Sequence, residues 1–237
     1  MARRKIVFMP GLLCDATVFA RQAAALVPIA DVAIADFSEA KSIDEMAEIA
    51  LSIFAGPVTL IGFSMGGRAA LAACRLDGQR INGLCLMDTG AAPADDDEMD
   101  RRMPLVELAN MEGMSALAAR WLPPMVHVDR ETDASLIGPL TKMVERATPA
   151  MHERQVRALV SRPDARPVLQ TITCPTLVMV GRQDRWSPLA DHEVMADAIP
   201  DARLAIIENC GHFAPVERPD EVTDTLRLWL GRLRDPT

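Results

Sequence analysis

Apolar residues recur along this chain in two alternating rhythms. Short continuous runs at Lys5–Met9, Asp31–Ala35, Pro57–Ile61, Gly83–Met87, Thr176–Val180 and Arg203–Ile207 are rich in Val, Ile and Leu, with few polar breaks. Such runs suit strands of a parallel sheet buried on both faces. The stretches between them are longer and carry helical spacing. Ser42-Ile43-Asp44-Glu45 reads as a capping box, and Ile43, Met46, Ala50 and Ile53 continue the helix until Gly56. Pro219 opens a last helix with an apolar stripe at Val222, Leu226, Trp229, Leu230 and Leu233. Strand–helix alternation predicts right-handed βαβ units and an α/β fold, a doubly wound, mostly parallel sheet of about six strands.

One stretch interrupts the alternation. Residues 92–166 hold no convincing strand. They open on Asp95-Asp96-Asp97-Glu98, read as a solvated helix start, and continue as helices. Leu117 and Trp121, up to Pro123-Pro124, mark one; Leu136, Leu140, Met143 and Val144 another; Met151 through Val160 a third. A helical insert between strands of a parallel sheet lies over their carboxyl ends, where ligands bind. The expected organisation is a core of residues 1–91 and 167–237, with 92–166 as a helical cap before the last two strands. Helices lining the sheet face are the alternative. No internal repeat is visible.

A chain of 237 residues can bury one sizeable α/β core. The formal charge of −8, with no basic run beyond Arg3-Arg4-Lys5, argues against a nucleic-acid surface. Cys14, Cys74, Cys85, Cys174 and Cys210 are odd in number and lack metal-ligand spacing, so reduced thiols in a cytoplasmic protein are expected. The apolar run Ile6-Val7-Phe8-Met9 is too short for a signal-peptide core, and no stretch approaches a membrane span. The expected partner is a small-molecule substrate. No metal or other cofactor is implied, and the oligomeric state is open.

The chemistry concentrates at three strand ends. Ser64 sits in Gly62-Phe63-Ser64-Met65-Gly66-Gly67, directly after a strand and before a helical segment. Glycines at 62 and 66 permit a tight turn that lifts the serine oxygen out of the sheet. A serine hydroxyl needs a base to act as a nucleophile, an imidazole titrates near neutrality, and a carboxylate orients the imidazole. His212, in the Gly211 loop after Arg203–Ile207, fits the base better than His127, His152 or His192, which fall in helical stretches. Asp184, in Gly181-Arg182-Gln183-Asp184-Arg185, is the favoured acid, with Asp88 at the end of Gly83–Met87 as its competitor. The backbone N–H of Met65 and that of Leu12 in the first strand–helix loop are the expected oxyanion donors.

Together these motifs, with Pro10-Gly11-Leu12 and in the order Ser, Asp, His, resemble the α/β-hydrolase superfamily over essentially the whole chain. The resemblance implies an eight-stranded, mostly parallel sheet with a lid after the sixth strand. Here the first strand candidate starts about five residues in, which leaves no room for the two leading strands, so a six-stranded version is expected. Many relatives carry His-Gly in the oxyanion loop, where this chain has Pro10-Gly11. The leading functional expectation is a serine hydrolase of carboxylesterase type. It would cleave a small or medium hydrophobic ester or lactone through an acyl-enzyme. Carbon–carbon bond hydrolases, cofactor-free perhydrolases or haloperoxidases, and hydrolase-like small-molecule receptors share the triad and stay open. Cys14, Phe63, Trp121, Met125 and Phe213 are expected around the substrate; Met103, Leu108, Met111 and Met143 could extend an apolar pocket in the cap, although core packing is the favoured reading for any one methionine. An inert buried thiol is the alternative for Cys14. Arg101, Arg102, Arg120, Arg130, Arg146 and Arg157 lie in or near the insert as candidate carboxylate binders or plain surface arginines.

Overall fold

The computed structural model describes residues 3–233; residues 1–2 and 234–237, which the sequence assigns to the core, lie outside the described residues. The elements run β1 (Arg4–Met9), α1 (Ala20–Leu26), β2 (Ala30–Ile34), α2 (Ile43–Ser52), β3 (Val58–Phe63), α3 (Met65–Asp77) and β4 (Ile81–Met87). Four helices follow: α4 (Glu98–Glu112), α5 (Met114–Trp121), α6 (Ala134–Glu145) and α7 (Pro149–Val160). The chain then returns through α8 (Arg166–Leu169), β5 (Thr176–Gly181), α9 (Leu189–Ala198), β6 (Arg203–Ile207), α10 (Ala214–Glu217) and α11 (Pro219–Leu230).

The strands form one six-stranded sheet in the order β2-β1-β3-β4-β5-β6. Every pairing is parallel. All six residues of β3 and of β5 are buried, so helices must cover both faces there. The edge strands β2 and β6 are only partly buried. Two groups of helices do the covering: α1 packs on α11, while α2 packs on α3 and α3 on α8. The predicted stripe of α11 is the buried one, Val222, Leu226, Trp229 and Leu230, with Leu233 just beyond it.

Local chemistry sets the element ends. Ser42 Oγ accepts the Glu45 N–H at 3.1 Å, but Glu45 Oε2 reaches back to Lys41 N–H at 2.7 Å rather than to residue 42. The first turn of α2 is thus capped from both sides. β3 runs two residues beyond its predicted end, because Gly62 and Phe63 still pair with Leu86 and Met87 of β4. The helix α4 had no clear apolar stripe, and Pro104 lies inside it. Its start corrects the reading of a solvated acidic run. Glu98 is buried between Arg102 (2.8 Å) and Arg162 (2.8 Å), and only residues 95–97 face water.

Candidate active site

Ser64 leaves β3 at φ 53° and ψ −116°. An L residue in that region carries about 1–3 kcal/mol of strain, held only by surrounding structure. Here the Ser64 N–H donates to Met87 O at 2.9 Å, and Thr89 Oγ1 donates to the Ser64 carbonyl at 2.7 Å. The turn closes because of its glycines. A Cβ on Gly62 would stand 2.5 Å from Gly66 O, and one on Gly66 would stand 1.9 Å from Met9 O. Leu13, Ser64, Asp88 and Asn209 all have positive φ, and all lie just past the carboxyl ends of strands.

His212 and Asp184 come from the loops after β6 and β5. His212 Nδ1 is 2.8 Å from Asp184 Oδ2, and His212 Nε2 is 2.9 Å from Ser64 Oγ. Asp184 Oδ1 accepts the N–H groups of Trp186 (2.7 Å) and Ser187 (2.9 Å). With Nδ1 protonated toward Asp184, Nε2 is free to accept the serine proton. Both residues are almost wholly buried, at 1% and 4% exposure for His212 and Asp184. Asp88, the competing acid, instead accepts Gly181 N–H at 2.9 Å through Oδ1, and its buried Oδ2 has no partner among the described residues. Burial and the nearby Asp184 carboxylate push the Asp88 carboxyl well above the usual range.

The other histidines are placed elsewhere. His192 Nε2 accepts Thr89 N–H at 2.9 Å and so braces the loop after β4. His127 Nδ1 accepts Asp129 N–H at 3.2 Å. His152 is buried with no partner for its Nδ1 among the described residues, and burial together with Arg102 pushes it down to about 4.

Ser64, Leu12 and Met65 line one cavity of about 510 Å³. The first N–H of α3, that of Met65, has no partner within its own helix. Gly11 brings the β1 loop so close that a Cβ there would stand 3.2 Å from Ser64 Cβ. Trp121 and Met125 also line this cavity. Cys14, Phe63 and Phe213 do not, which corrects their expected place around the substrate. Phe63 and Phe213 lie beside the imidazole, their ring centroids 5.3 Å and 6.1 Å from that of His212, and form its apolar support. Cys14 is buried, with its Sγ donating to Leu12 O, and burial pushes its thiol far up. The apolar extension through Met103, Leu108, Met111 and Met143 is also corrected: none lines the cavity, and Met111 is 83% exposed.

Several lining residues escaped the sequence reading. Arg68, Arg162, Glu98 and His152 face the cavity alongside Arg101 and Arg102. Arg68 carried a signal, since it stands one helical turn after Ser64. Arg120, Arg130, Arg146 and Arg157 are not in the lining; Arg130, Arg146 and Arg157 pair with Asp133, Asp15 and Glu153. Gln155 was also missed. Its Oε1 accepts Leu13 N–H at 2.9 Å, and its Nε2 donates to Phe37 O, tying α7 to the loop after β1.

The alpha/beta hydrolase family model matches residues 10–225. The chain belongs to this family. It is 27% identical over 190 residues to 2-hydroxy-6-oxo-6-(2'-aminophenyl)hexa-2,4-dienoic acid hydrolase of Metapseudomonas resinovorans, covering 78% of this chain and 63% of that protein. The chain spans 57 to 63% of the length of such curated relatives. Among solved family structures, a thermophilic esterase from Thermogutta terrifontis superposes with a TM-score of 0.88 at 27% identity, covering 97% of this chain and 90% of that one. The enol-lactonase from Burkholderia xenovorans LB400 gives 0.85 at 25% identity, covering 98% and 93%. Among the described residues no helix is long and apolar enough to cross a membrane.

Proposed function

We propose that this family member is a serine hydrolase that cleaves a small carboxylic ester or lactone through an acyl-enzyme. The observation that carries the reading is the unbroken line from Asp184 through His212 to a strained Ser64, at 2.8 Å and 2.9 Å. Ser64 Oγ attacks the carbonyl carbon while His212 Nε2 takes its proton. The carbonyl electrons move to an oxyanion held by the N–H groups of Leu12 and Met65. The intermediate collapses as Nε2 returns the proton to the leaving alkoxide. Water then repeats the sequence on the acyl-enzyme and frees the acid. Asp184 orients the ring and stabilises the imidazolium. Residues 92–166 act as a cap that narrows access to Ser64.

A second reading is hydrolysis of a carbon–carbon bond beside a ketone. The curated relative hydrolyses a 2-hydroxy-6-oxo-dienoic acid by its name, and the same triad serves that chemistry. Phe63 stands immediately before the serine, where such enzymes often have Asn. Steady-state hydrolysis of a nitrophenyl ester series separates the readings. Multiple turnover that falls a thousandfold or more in Ser64→Ala supports the ester reading. Turnover of a vinylogous diketone but of no ester shifts it to carbon–carbon cleavage. Turnover of neither, with no labelling of Ser64 by a fluorophosphonate, overturns both.

A further inference from the structure

The cavity over Ser64 is lined in part by charged side chains. Four arginines, Arg68, Arg101, Arg102 and Arg162, share the wall with Asp95, Glu98 and Asp191. Three of the arginines are ion-paired, two of them to one shared carboxylate. Arg101 pairs with Asp95 at 2.6 Å, while Arg102 and Arg162 share Glu98 at 2.8 Å each. Arg68 is not. Among the described residues no carboxylate lies within ion-pair distance of it, and its one hydrogen bond to the protein runs to the Ala92 carbonyl at 2.9 Å. Burial and the neighbouring Arg162 push its guanidinium down to about 9, a lowering that the more distant Glu98 and Asp191 carboxylates only partly offset. A guanidinium in such surroundings is stabilised strongly by any anion that reaches it.

A second polar group lines the same cavity without a partner. His152 is 2% exposed, and its Nδ1 has no hydrogen bond among the described residues. Buried polar atoms left without a partner are rare in folded proteins. An imidazole nitrogen that carries a proton could donate to a carboxylate. Arg68 lies in the first turn of α3, four residues after Ser64, and both residues line the cavity. The balance of charge also limits the guest. Four arginines against three carboxylates, Asp191 included, leave one positive charge in the lining, which matches a single negative charge better than a dianionic phosphate.

We propose that Arg68, with His152, forms an anion subsite that binds a carboxylate on the acyl part of the substrate. The substrate is then a half-ester or lactone of a dicarboxylic acid, or a keto acid, rather than a plain fatty ester. This deepens the serine-hydrolase reading and rests on it for the position of the scissile bond.

The test compares two nitrophenyl esters of equal chain length, one ending in a free carboxylate and one in its methyl ester. Wild type, Arg68→Met, Arg68→Lys and His152→Leu are assayed, and the ratio of kcat/KM for the two esters is read. The expected result is a preference for the carboxylate that falls tenfold or more in Arg68→Met, partly returns in Arg68→Lys and falls less in His152→Leu. A wild-type preference for the methyl ester, or an unchanged ratio in Arg68→Met, overturns the proposal. Calorimetric titration with glutarate supplies an arm independent of turnover. Ser64→Ala should bind it like wild type, and Arg68→Met at least tenfold more weakly. Equal binding by Arg68→Met, or none by wild type, counts against the subsite. Loss of ester turnover with glutarate binding retained would instead count against the serine mechanism. Thermal unfolding of each variant identifies any that fails to fold.

Discussion

At the scale of single residues, two aspartates stand near one histidine with opposite surroundings. Asp184 has two backbone N–H donors and the imidazole; Asp88 has Gly181 N–H on one oxygen and, among the described residues, no hydrogen-bond partner on the other. Burial first, and Asp184 second, raise Asp88 well above its usual range. The folded state therefore holds a proton that the unfolded chain releases near pH 4. Because the folded state binds more protons, stability falls as pH rises above about 4, and keeps falling until the raised folded value is passed. Asp88→Asn keeps an acceptor for Gly181 and removes the titration. Chemical denaturation at several pH values should show the wild type losing stability relative to Asp88→Asn across that window. A constant difference would mean that Asp88 is charged in the folded protein. Asp184→Asn should behave differently, with activity falling by orders of magnitude because the imidazole loses its orientation.

The nucleophile turn works at the scale of elements. β1, β3 and α3 meet where no side chain fits, and the neighbour that a Gly66 Cβ would strike is backbone, the Met9 carbonyl at 1.9 Å. A backbone contact of that kind cannot be relieved by a rotamer change. Gly66→Ala should cost roughly 4 kcal/mol or more, at the extreme of single substitutions, and lower Tm or prevent folding. Gly78→Ala is the matched control, since a Cβ there meets nothing within 4 Å. It should leave Tm unchanged or raise it slightly by restricting the unfolded chain. Similar Tm values for the two variants would mean the turn can open without loss.

Over the whole molecule, residues 92–166 are tied by buried bonds to the loops that carry the site. His212 N–H donates to Met125 O at 2.7 Å, Glu217 accepts the N–H groups of His127 and Gly211, and Gln155 holds Leu13. Leu13 belongs to the loop whose Leu12 N–H would hold the oxyanion in the proposed mechanism. Gln155→Leu leaves the Leu13 N–H buried and unpaired, a cost of about 1–3 kcal/mol. Tm should fall by several degrees, and kcat should fall more than KM rises, because the donor is needed most in the transition state. An equal loss of stability with kcat intact would assign Gln155 to packing alone.

The alternation of short apolar runs with helical stretches determined the fold class, because central parallel strands must be apolar on both faces and their crossovers amphipathic. The same chain order placed Ser64, Asp184 and His212 each after a strand, so their arrival on one sheet edge could be read without coordinates. The spatial order of the strands could not. Nothing local says that β3 lies between β1 and β4, and it is this order that sets Leu12 beside Ser64. The choice between Asp184 and Asp88 was likewise tertiary, since both follow strands and only distance separates them. The substrate cavity was the least legible part. Its arginines, Glu98 and His152 lie far apart in sequence, and Phe63 and Phe213 look like pocket residues until the imidazole is seen to cover them. Ion pairing and burial depend on what packs alongside, and no periodicity in a single chain records that.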